Sequence, residues 1–228
     1  MTQQDRIVQR NQRLTTPRAA AVAGILSGAL FIAAQVLLRI AIPTAKAKSY
    51  AWVIENPGLV TFALSLVPFA GIAFLWFMGV ARDRLGRQED QLFSTVFLGS
   101  GLLYLSMTFI ATAIAGGHLG SQASLEPASG EALRLFSVAT VGQITNIFGI
   151  RMAAVFMISS ATLWYRTQVM PRWLALLTYL LALGLLVLIN FSLWVTLIFP
   201  AWMLVVSILI LISNYRRKVD PETEASAE

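Results

Sequence analysis

Apolar residues run almost unbroken through six stretches of the chain, and polar residues gather in the short segments between them. The stretches cover residues 19–41, 58–81, 91–116, 147–165, 173–190 and 193–213. Most match the roughly 20 residues an α-helix needs to cross the ~30 Å hydrocarbon layer of a bilayer. Backbone amides in hydrocarbon must be bonded within their own segment, which leaves the helix as the natural element for such runs. The pattern therefore predicts an all-α fold, a polytopic transmembrane helical bundle of about six spans.

Two regions are too long for one span each. Residues 173–213 divide at Asn190-Phe191-Ser192, where a tight turn is expected. Residues 134–165 as a single helix would reach ~48 Å, more than the hydrocarbon layer requires. We expect an amphipathic or partly inserted helix over 131–145, followed by the span 147–165. The first stretch is followed by Ala45-Lys46-Ala47, which mimics a cleavage site. Its apolar run exceeds the ~7–15 residues of a signal-peptide core, so it reads as a retained span.

Composition supports this reading. Hydrophobic residues make up 57% of the 228 and charged residues 12%, about half the ~25% of a soluble domain. Mean hydropathy is +0.71. The net charge of +6 would suggest nucleic acid in a soluble protein. Here the basic residues sit at the ends of apolar runs, as membrane orientation requires, so no nucleic-acid partner is expected.

Twelve Lys and Arg fall on one side of the six-span arrangement: Arg6, Arg10, Arg13, Arg18, Arg82, Arg84, Arg87, Arg166, Arg172, Arg216, Arg217 and Lys218. Three, Lys46, Lys48 and Arg134, fall on the other. This asymmetry predicts that the tails 1–18 and 214–228 both face the cytoplasm. Trp164, Tyr165, Trp173 and Tyr215 are expected at the membrane interface. Glu89 and Asp90 are expected to favour the start of the third helix, at the positive end of its dipole.

Small residues recur where helices can approach closely: Ala20, Gly24 and Gly28 in the first span, Gly99, Ser100 and Gly101 in the third, Gly149 and Ala153 in the fourth. Packing within the chain is the favoured reading over a dimer interface. Pro68 and Pro200 lie inside spans and should kink them.

Few residues could carry chemistry. The chain has no cysteine, which excludes disulfides, thiolate nucleophiles and Cys-ligated metals. His118 is the one histidine and is expected on the surface of a Gly-rich loop spanning 117–133. It has no company for a metal site or a catalytic triad. No catalytic constellation, metal site or cofactor fingerprint is found. Arg151 is the residue that most needs an explanation, because an ionised group inside a bilayer is costly and commonly functional. No acid lies inside the six stretches, so its partner would be Asn146, Gln143, a free carbonyl or a bound anion. Arg39 is expected to reach headgroups at the end of the first span, and Gln35 to bond between helices.

Three strings carry a resemblance: Arg82-Asp83-Arg84-Leu85-Gly86 with Thr95-Val96-Phe97-Leu98-Gly99-Ser100-Gly101-Leu102-Leu103; Arg151-Met152-Ala153-Ala154-Val155-Phe156-Met157; and Pro171-Arg172-Trp173-Leu174-Ala175 with Phe199-Pro200-Ala201-Trp202. Together they resemble an uncharacterised family of bacterial, largely actinobacterial, multi-pass membrane proteins without known activity. The resemblance implies a fold and a location in the cytoplasmic membrane, and draws interest to Arg151 and Arg172. The function expected is non-enzymatic, an accessory or structural role through lateral helix contacts. Its partners would be the lipid bilayer and a second copy or another membrane protein. The competing expectation is a small transporter or channel for an anionic or neutral solute, using Arg151 with Gln143 and Asn146.

Overall fold

A computed structural model describes residues 3–41, 56–85, 91–121, 126–167, 171–187 and 193–224. Every element among them is helical: α1 (Gln3–Ala41), α2 (Pro57–Leu85), α3 (Gln91–Ser121), α4 (Pro127–Gln143), a π-helical segment (Ile144–Gly149), α5 (Ile150–Thr167), α6 (Arg172–Val187), a 3-10 segment (Leu193–Leu197) and α7 (Ile198–Glu224). Local sequence fixes several starts. Asn56 Oδ1 accepts the Leu59 amide at 3.1 Å, with Pro57 at the first helical position. There its missing N–H costs nothing. Pro127 opens α4 in the same way, after Glu126 in extended conformation.

Five helices are long and apolar enough to cross a membrane: Ala19–Ala41, Pro57–Arg82, Ser94–Ser121, Ala128–Arg166 and Val195–Ser213. The sixth, α6, is apolar but only 16 residues long. The expected turn at Asn190-Phe191-Ser192 and the residues Glu89 and Asp90 lie outside the described residues. At the ends of the chain, α1 already begins at Gln3 and α7 reaches Glu224, so the polar termini continue the winding of the outer spans.

The stretch 131–145 and the span 147–165 are not separate pieces. Helical winding continues from Ala128 to Arg166, 39 residues, or ~58 Å at helical rise. What changes near residue 146 is the winding. The Ile144 amide bonds the Thr140 and Val141 carbonyls, and the Ile150 amide bonds Thr145, five residues back. A π-segment keeps the backbone bonded while widening one turn, a device common at functional sites. Much of the loop expected over 117–133 is helix instead, because α3 runs to Ser121 and α4 starts at Pro127.

α1 is gripped on two faces. On one, Ala20, Ser27, Ala34 and Ala41 recur every seven residues and are all buried. On α2, Val60, Val67 and Phe74 repeat at the same interval, interleaved with Ala63, Ala70 and Phe77. This is the spacing of helices that supercoil gently around each other. Ser27 Oγ donates across the seam to the Ala70 carbonyl at 2.9 Å. On its other face, a Cβ added to Gly24 would fall 2.0 Å from Ser207 Oγ, and one on Gly28 would meet Leu204 and the Pro200 carbonyl at 3.0 Å. These glycines let α1 approach α7 closely, so this small-residue face is used within the chain. Gly101 similarly seats α3 against Met78 of α2 and Phe156 of α5.

α5 packs against α3 and α6 and touches α7. Ala153, Ala154, Phe156, Met157, Ala161 and Leu163 are all but inaccessible. Around it the interior is filled by rings: Phe97–Phe156 at 4.6 Å, Tyr104–Phe199 at 4.5 Å and Phe74–Phe156 at 5.4 Å between centroids. Trp164 stacks on Trp202 at 5.8 Å with 27° between planes. Trp164 therefore belongs to the core rather than to an interfacial belt; its neighbours in sequence and at the next helix start, Tyr165 and Trp173, are exposed.

The outer faces are apolar too. Phe69 and Trp76 on α2 are 64% and 66% exposed, and Leu180 on α6 is 69% exposed. A continuous apolar exterior of this kind is a liability in water and ordinary against lipid chains. The fold is that of an all-helical bundle compatible with an integral membrane protein.

Candidate functional site

Polar side chains inside the bundle fall into a few small groups, most of them bonded to their own helix. Ser100, Ser106, Thr108, Thr112, Ser159 and Ser160 all donate to carbonyls one turn back. This is the cheapest way to place a hydroxyl in an apolar medium. Two of these groups hold α6 in place. Trp202 Nε1 donates to Thr178 Oγ1 at 3.0 Å, while Thr178 donates to the Leu174 carbonyl at 2.8 Å. The hydroxyls of Thr162 and Tyr179 share a bond at 2.7 Å. Both groups fasten α6, the first to α7 and the second to α5.

The second kind of node sits where the 3-10 segment enters α7. Pro200 has no N–H with which to bond the Thr196 carbonyl four residues earlier. The Gln35 side chain supplies that donor from α1, Nε2 to Thr196 O at 3.3 Å. Thr196 Oγ1 in turn donates to Gln35 Oε1 at 2.7 Å and accepts from Arg39 NH2 at 2.8 Å. Gln35 thus makes the expected interhelical bond. Arg39 binds a protein hydroxyl at the same node. The sequence held a signal for this node that was not used: a buried proline removes the α-helical donor to the carbonyl four residues before it, and Thr196 lies four before Pro200.

Arg151 lies in the first turn of α5, one residue after Ile150, and is half-buried. Its NH1 donates to the Ile147 carbonyl at 3.0 Å. Of the acceptors foreseen for it, a backbone carbonyl is the one engaged. Asn146 is half-buried and Gln143 is exposed. Among the described residues no hydrogen bond joins either of them to Arg151, and no carboxylate pairs with it. The ion pair that does occur in this rod lies far above, where Arg134 Nε donates to Glu131 Oε2 at 2.8 Å.

His118 departs from expectation. It belongs to the last turn of α3 and is 4% exposed rather than set on a surface loop. Among the described residues no three His, Asp or Glu converge as a metal ion would need. Searches against family models, curated proteins and solved structures returned no match.

Proposed function

We propose that the chain is a non-enzymatic component of a bacterial cytoplasmic membrane, with both termini on the cytoplasmic side, that acts through contacts in the plane of the membrane. The observation that carries this reading is the filled interior. Phe74, Phe97, Tyr104, Phe156, Phe199 and Trp202 fill the space between α1, α2, α3, α5 and α7 with mutually contacting rings. A bundle packed this way offers its outward faces for contact and little else. The Lys and Arg asymmetry supports the orientation.

Photo-crosslinking in intact membranes tests the reading, with the reactive group at Trp76 on α2 or Leu180 on α6. A discrete protein adduct, or a dimer of the chain, is the expected result. Lipid adducts alone at both positions would count against it. Flux measurements in vesicles address the competing transporter reading: no solute flux is expected. Flux abolished by Arg151→Leu would move Arg151, Gln143 and Asn146 into a permeation path.

A further inference from the structure

The geometry points to a phosphate site at Arg151, formed with Asn146 and Gln143 and filled by the headgroup of a membrane phospholipid. It deepens the reading of a protein that works by lateral contact, by naming one such contact.

The depth of the guanidinium follows from the length of the rod. Tyr165 and Arg166 are exposed at one end of α5, and Arg172 and Trp173 are exposed at the start of α6 beside it. Exposed aromatic and basic residues gathered this way mark a membrane boundary. From Arg166, Arg151 is about 22 Å along the axis, inside the ~30 Å hydrocarbon layer. Helical side chains lean toward the N-terminus of their helix, here away from Arg166. The bond to Ile147, one turn further on, shows that Arg151 does so. The guanidinium is thereby carried about one more turn, to the level of the opposite boundary, where phosphates lie.

The π-segment brings polar company to that level. The wide winding covers Ile144–Gly149 and so takes in Asn146, while Arg151 follows two residues after its end. A π-turn advances each residue by a smaller angle than an α-turn, so Asn146 lies nearer the side of Arg151 than α-helical winding throughout would place it. Gln143 is one turn higher and exposed. A guanidinium whose fork of donors meets one carbonyl keeps most of its capacity open, and phosphate oxygens suit that fork. With no carboxylate against it among the described residues, the site is cationic.

The experiment is native mass spectrometry of the full chain released from micelles doped with phosphatidylglycerol. It compares the wild type with Arg151→Gln, Arg151→Lys and Asn146→Leu. Wild type is expected to retain one phosphatidylglycerol that Arg151→Gln loses, a drop of about tenfold or more in occupancy. Arg151→Lys should retain it in part, because a point charge replaces a fork. Asn146→Leu keeps every charge and should weaken retention several-fold, so the test stands even if Arg151→Gln fails to fold. Equal retention in wild type, Arg151→Gln and Asn146→Leu would overturn the site. Displacement of the lipid by millimolar inorganic phosphate would overturn the lipid as occupant and identify a dissolved anion instead. Either failure leaves the crosslinking result of the lateral-contact reading untouched.

Discussion

At the scale of single residues, the positions that matter most are those where nothing larger fits. Gly28 faces a backbone carbonyl and a main-chain-proximal Cβ on α7, neither of which can swing aside. Gly28→Leu should therefore force α1 and α7 apart and destabilise the bundle by about 1–3 kcal/mol. Reversible unfolding of the reconstituted protein by steric trapping would measure it. Gly99 contrasts usefully, since a Cβ there meets nothing within 4 Å. Gly99→Ala should be neutral or slightly stabilising, because glycine in a helix interior costs roughly 0.5–1 kcal/mol relative to alanine. Both glycines read alike as members of small-residue runs. Only their neighbours in space separate them, which is why the sequence suggested close packing without saying which glycines carried it.

At the scale of elements, the entry to α7 is held by a substitution of donors. Gln35 stands in for the N–H that Pro200 lacks, and Arg39 braces the same threonine. Removing the carboxamide alone, as in Gln35→Leu, takes both bonds between Gln35 and Thr196 from the joint and should cost about 1–2 kcal/mol. In a Pro200→Ala background the helix can bond the Thr196 carbonyl itself, so the same replacement should cost distinctly less. A double-mutant cycle on unfolding free energies reads the difference, and equal costs in both backgrounds would dispose of the idea. The six apolar elements themselves were plain from hydropathy, because lipid demands a long apolar run of every spanning helix. The continuity of Ala128–Arg166 was not. Gln143, Thr145 and Asn146 look like a break when read as a list of polar residues, but a π-turn absorbs them with the backbone still bonded. The burial of His118 was equally hidden, since the two glycines before it suggest a loop and α3 runs straight through them.

At the scale of the whole molecule, the aromatic interior is the common junction. Phe156 touches Phe74 of α2, Phe97 of α3, and Phe199 and Trp202 of α7. Phe156→Ala should leave a cavity bordered by three other helices and cost about 3 kcal/mol, near the low end for such a truncation. The reason is that lipid, unlike water, does not penalise the apolar groups it releases. Unfolding under the same trapping conditions checks the value, and a cost under 1 kcal/mol would mean the rings pack loosely. The seven-residue recurrence on α1 and α2 emerges only once burial picks out Ala20, Ser27, Ala34 and Ala41 from an almost wholly apolar run. The half-burial of Arg151 likewise depends on where α5 sits among its neighbours, and no local pattern encodes that.

The stacked pair of Trp164 and Trp202 has an optical consequence. Two indoles 5.8 Å apart and 27° from parallel couple their ultraviolet transitions, so the folded chain should show an intense near-ultraviolet circular dichroism couplet. Trp76 and Trp173, turned outward, should instead be quenched by brominated lipid chains. One fluorophore thus reports the joint between α5 and α7 while another reports the surrounding membrane, and the protein's own light can follow its assembly without a label.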